Sequence, residues 1–113
     1  MRNRTSLSSE LLPGTLDILI LKTLTRGPAH GYAIARHLER VSNEALRVGE
    51  STLYPALQRL LVNDWVKAEW GESELGRRAR VYRITPAGRK RLAKESEEFT
   101  RLTGTIAAIL GEA

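Results

Sequence analysis

Apolar residues recur along this chain at two spacings, one helical and one alternating, and the switches between them mark out its elements. After Leu11-Leu12-Pro13-Gly14-Thr15, the residues Leu16, Ile18, Leu19, Ile20, Leu21 and Leu24 predict a helix to about Thr25, apolar around most of its circumference. Such a helix wants burial on more than one side, at the centre of one core or between its own core and a second subunit. Arg26-Gly27-Pro28-Ala29 stops it. His30-Gly31-Tyr32 opens a second helix reaching Ser42, with Ile34, Ala35, Leu38 and Val41 inward and Arg36, Glu39 and Arg40 outward. Asn43 to Gly49 is a connector, in which Ala45-Leu46-Arg47-Val48 has the pattern of a short strand.

The stretch from Ser51 to Leu61 has two different faces. Leu53, Ala56, Leu57 and Leu60 form an apolar stripe, while Thr52, Tyr54, Gln58 and Arg59 point elsewhere. Pro55 has no N–H, a loss tolerated in a first helical turn, so the helix is expected to begin at Ser51 or Thr52 with a hydroxyl cap. By itself the segment fits a core helix as well as it fits a helix whose first turn meets a DNA groove.

Val62-Asn63-Asp64 ends that helix and alternation takes over. Val66, Ala68 and Trp70 share one face of a strand and Lys67 and Glu69 the other; Tyr82 and Ile84 are the inward residues of a second strand. The intervening polar loop makes a long hairpin whose returning arm carries Arg77, Arg78 and Arg80. Thr85 as N-cap and Pro86 at the first helical position start a last helix, reaching Leu110. In it Leu92, Phe99 and Ile106 are seven apart, and so are Leu102 and Ile109 with an offset of three, a heptad seam interrupted by Glu95. The seam predicts a partner: a second copy of the chain or the chain's own domain.

Composition narrows the chemistry. With 113 residues, 42% of them hydrophobic, the chain supports one modest core. The absence of cysteine excludes disulfides, cysteine zinc sites and thiol catalysis. Apolar runs such as Ile18 to Leu21 are far short of the roughly 20 residues that span a bilayer. The basic start Met1-Arg2-Asn3-Arg4 lacks the apolar run of a signal peptide, so a soluble, cytoplasmic protein with no membrane partner is expected. Net charge is +5, and from Arg77 to Arg91 there are seven basic residues and no acid. That block is a footprint for phosphates or else a solvated basic face. His30 and His37 lack companions for a metal site. Ser51, in Gly49-Glu50-Ser51-Thr52-Leu53, does not sit in a nucleophile elbow. Neither an enzyme nor a cofactor is expected.

Helix, helix, short strand, helix, hairpin, helix is a mainly α fold with a small β-hairpin: a winged helix-turn-helix plus a C-terminal dimerisation helix. The expected division is a flexible segment 1–10, a DNA-binding domain 11–85 and the dimerisation helix 86–113. The third helix would enter the major groove of double-stranded DNA, making Ser51, Thr52, Tyr54, Gln58 and Arg59 candidates for base edges or close phosphates. Arg77, Arg78 and Arg80 would contribute affinity through counterion release. The alternative is a winged-helix module that binds protein without DNA specificity.

Leu12-Pro13-Gly14-Thr15-Leu16-Asp17, His30-Gly31-Tyr32, Ser51-Thr52-Leu53-Tyr54-Pro55-Ala56-Leu57, and Arg77-Arg78-Ala79-Arg80-Val81-Tyr82-Arg83-Ile84-Thr85 with Gly88 carry a further signal together. In this order and spacing the chain resembles the PadR family of bacterial transcriptional regulators, over about residues 11 to 92. The resemblance implies a homodimer on a palindromic operator, usually a repressor, with Thr52, Tyr54 and Pro55 at the DNA-facing start of the recognition helix. It implies that the first and last helices make the dimer, here Leu16 and Ile20 with Leu92, Phe99, Leu102, Ile106 and Ile109. Family members often carry Gly where this chain has Asp64. Some relatives hold flat aromatic drugs between tryptophans of their C-terminal helices, whereas Trp65 and Trp70 lie in the wing here. A small-molecule inducer would be of another kind, its identity unknown.

Overall fold

The computed structural model describes residues 11, 14–72 and 76–112. Segment 1–10, Leu12-Pro13 and the loop residues 73–75 lie outside the described residues, and with them the expectation of a flexible N-terminal segment. The elements are α1 (Thr15–Leu24), β1 (Ala29–His30), α2 (Gly31–Val41), α3 (Glu50–Val62), β2 (Val66–Glu72), β3 (Arg78–Ile84) and α4 (Pro86–Leu110). The three strands form an antiparallel sheet in the order β1-β3-β2. This is the winged helix-turn-helix arrangement: three helices, a hairpin wing and a terminal helix.

The apolar stripes meet in one core. Ile20, Leu21 and Leu24 of α1, Ile34 of α2, Leu57 and Leu60 of α3 and Val66 of β2 are fully buried. Leu16 and Ile20 belong to this core too, at 6% and 0% exposure, which corrects their expected place between subunits. Side chains enclosed by their own protomer have almost no surface left for another. Val41, expected inward, is 61% exposed at the last residue of α2.

Two local expectations shift. Ala45 to Val48 forms no strand; the third strand is Ala29–His30, which pairs with Tyr82 and Val81. And α3 begins one residue before Ser51, with Gly49 as N-cap and no side-chain cap. The Gly49 carbonyl takes the N–H groups of Thr52 at 3.1 Å and Leu53 at 2.9 Å, and Glu50 brings an acid to the positive end of the helix. Pro55 is therefore inside α3, where the single bond it forfeits is the one to the Ser51 carbonyl. Both residues are exposed, so water can serve that carbonyl. The buried stripe Leu53, Ala56, Leu57 and Leu60 is as expected.

Between α3 and the wing, Asp64 takes a left-handed conformation at φ 59°. The wing is locked to the start of α4 there. Thr85 Oγ1 donates to the Asp64 carbonyl at 2.7 Å and accepts from the Gly88 N–H at 2.9 Å, the expected N-cap. A β-carbon on Gly88 would lie 2.1 Å from the Trp65 carbonyl oxygen, so no other residue fits this crossing. Further along, α4 leaves the body. Leu92 packs on the core, whereas Phe99, Leu102, Ile106 and Ile109 are 42 to 63% exposed. Among the described residues no helix is long and apolar enough to cross a membrane.

Candidate nucleic-acid interface

The polar edge of α3, the outer face of α2 and the returning strand of the wing enclose one open cleft of about 920 Å³. From α3 come Tyr54 and Gln58, which point outward because their neighbours Leu53 and Leu57 are held in the core. From the wing come Arg77, Arg78 and Arg80, and from α2 come Tyr32, Arg36 and Arg40. Ser51, Thr52 and Pro55 are exposed at the N-terminal end of α3 but do not line the cleft.

The wing's alternation explains its reach. Near the body, Val66, Tyr82 and Ile84 bury one face of the hairpin. Further out the same face carries Trp70 opposite Arg80, and it is open. Trp70, on the same face as the buried Val66, is itself 59% exposed, and the Arg78 guanidinium lies 4.7 Å from its ring centroid. Stacking of this kind restrains an arginine without neutralising it. Among the described residues no carboxylate is within ion-pairing range of Arg77, Arg78 or Arg80. The Arg80 guanidinium is 5.8 Å from the Tyr82 ring. Burial pushes the Tyr82 phenol above its ordinary range, against the pull of Arg80, so it stays neutral.

Tyr54 is aimed by the backbone of α2. Its ring lies against Gly31, where an added β-carbon would be 3.1 Å from the Tyr54 hydroxyl. His30 caps the same turn, its Nδ1 accepting from the Ala33 N–H at 3.3 Å, and its ring stacks on Tyr32. Arg36 donates to the Tyr32 hydroxyl at 2.9 Å. The two short motifs around Gly31 and Tyr54 are thus two sides of one contact.

Arg59 has another occupation. Its Nη2 and Nε donate to the two carboxylate oxygens of Asp17 at 2.8 and 3.3 Å, which ties α3 to α1 and raises the Arg59 pKa. It does not line the cleft, and in the DNA-free protein its guanidinium is engaged by Asp17 rather than turned to the groove-facing side. Arg36 and Arg40, on the other hand, were outward residues with no assigned role, and Tyr32 only marked the start of the helix; their spacing of four was the signal that they share a face.

Known proteins match this arrangement. A transcriptional regulator from Clostridium thermocellum superposes with a TM-score of 0.77 at 33% identity, covering 88% of this chain and 95% of that one. A PadR-like transcription factor from Bacteroides fragilis does so with 0.72 at 31%, covering 91% and 97%. A transcriptional regulator of Mycobacterium tuberculosis is 35% identical over 87 residues, 77% of this chain and 78% of that protein. The pattern of the PadR-like transcriptional regulator family matches residues 20–94. That family consists of DNA-binding transcription factors, not enzymes. With its wing, its cationic cleft and the family's pattern over most of its length, the chain belongs to the PadR-like family of transcriptional regulators.

Proposed function

We propose that the protein is a homodimeric repressor that binds a palindromic operator. The observation that carries this reading is the convergence of Tyr54 and Gln58 with Arg77, Arg78 and Arg80 on one cleft. In it α3 enters the major groove, with Ser51, Thr52, Tyr54 and Gln58 toward base edges or nearby phosphates and Pro55 at the approach. The wing arginines follow the backbone, where each released counterion adds affinity without sequence information. Residues 11–85 act as the DNA-binding unit and 86–113 as the dimerisation helix.

Dimerisation is supported by the apolar seam that α4 leaves open: Phe99, Leu102, Ile106 and Ile109, with Leu92 at its base. Seams of this type close against a second helix. A two-fold dimer presents two copies of α3 to half-sites one helical turn apart, and repression then needs only occupancy of a promoter. Sequencing the fragments that the protein retains from its own genome tests the reading. The expected result is an enriched inverted repeat upstream of genes; fragments with no shared motif would contradict it.

A further inference from the structure

A cluster of basic groups on α2 is not used by the contacts proposed above. His37 Nδ1 faces two guanidinium groups. Arg26, from the turn after α1, is against it and lies 3.3 Å from Nε2, while Arg40 Nη2 is 3.2 Å from Nδ1. Arginine can only donate, so Nδ1 accepts and the imidazole is neutral. Burial, then the charges of Arg26 and Arg40, hold His37 below the ordinary histidine range. Among the described residues neither arginine has a carboxylate within ion-pairing range, and Glu39 of the same helix is turned to Arg47. Two positive charges thus converge on one acceptor without a counter-charge. Arg40 also lines the cleft, which makes the cluster continuous with the wing arginines.

We propose that Arg26, His37 and Arg40 form a binding site for a phosphate-class oxyanion, with three convergent N–H donors once His37 takes a proton. Resting on the DNA-binding reading, the oxyanion is a backbone phosphate of the duplex in the cleft; free phosphate presents the same chemistry. An anion between the guanidinium groups offsets their repulsion of a protonated imidazole, the part of His37's depression that comes from charge rather than burial. Binding therefore takes up a proton, and affinity rises as pH falls.

The chain has two histidines, so proton NMR of the imidazole Cε1–H gives two signals, assigned with a His37→Gln variant. His30 is the internal control, since it lines the cleft but lies outside the Arg26–His37–Arg40 cluster. The His37 titration midpoint is expected to rise in inorganic phosphate relative to chloride at equal ionic strength, to rise with duplex DNA, and to stay put in Arg26→Ala. DNA affinity should strengthen as pH falls, by up to about tenfold per pH unit for one proton. His37→Gln should lose that dependence and His30→Asn retain it. A midpoint that moves with phosphate but not with duplex keeps the site and assigns it to free phosphate. A midpoint that neither moves overturns the proposal. Anisotropy with labelled duplex reports DNA binding separately, so its failure would remove the DNA reading while the phosphate titration still decides the site.

Discussion

The phenol of Tyr54 rests on the α-carbon of Gly31, close enough that a β-carbon there would stand 3.1 Å from the hydroxyl and 3.3 Å from Cε1. Gly31 is the first residue of α2 and Tyr54 projects from α3, so the packing of two helices sets the direction of one cleft side chain. Gly31→Ala should therefore displace Tyr54 by a few tenths of an ångström without unfolding the domain. The expected loss is roughly fivefold in operator affinity, about 1 kcal/mol, with an unchanged melting transition within about 1 kcal/mol. Anisotropy alongside urea unfolding measures both. A variant that binds normally would show that Tyr54 needs no such support.

The Asp17–Arg59 bridge predicts the opposite pattern. Asp17→Ala and Arg59→Ala should each lower stability by about 0.5 to 1 kcal/mol, discounted because the Arg59 side chain is 53% exposed. Operator preference in Arg59→Ala should match the wild type, as judged by competition among operators with single base changes. A relaxed preference at one base pair would return Arg59 to the readers.

How much of this was legible beforehand depends on whether a feature is local. The stripe Leu53, Ala56, Leu57 and Leu60 and the Thr85 cap are written in spacing and residue type, and the structure has them as expected. The Ala29–His30 strand is two residues long and exists only because Tyr82 and Val81 lie beside it, which no local pattern announces. Ala45 to Val48 shows the reverse: strand-forming residues with no strand to pair with. Trp70 alternates with Ala68 and Val66 correctly, but the hairpin outruns the core, so the inward face becomes a solvent face. Arg59 and Asp17 are 42 residues apart, and their meeting follows from the packing of α1 on α3. Pro55 suggested a later start for α3 because one lost hydrogen bond looked decisive; at an exposed position it is not.

Arg78 stacks on Trp70 and keeps its charge for a phosphate. Arg78→Ala should weaken operator and random DNA by the same factor and flatten the dependence of log Kd on log salt by about one. Titrations from low to moderate salt on both duplexes check this. A change confined to the operator would mean that the wing reads bases.

Leu102 is 50% exposed on the open seam of α4. Leu102→Lys should convert a dimeric mass into a monomeric one in light scattering at micromolar concentration. Operator binding should be lost with it, because one half-site gives little affinity alone. A monomeric wild-type protein would contradict the role given to α4.

The most direct test of sequence-selective binding through α3 is a pair of anisotropy titrations at moderate salt. One duplex carries the protein's own promoter region and the other the same bases scrambled. The promoter should be bound at least about 1,000-fold more tightly. Tyr54→Ala should remove most of that difference while random-DNA affinity changes little. Equal binding of the two duplexes by the wild-type protein, or a difference untouched by Tyr54→Ala, would contradict sequence-selective binding through α3.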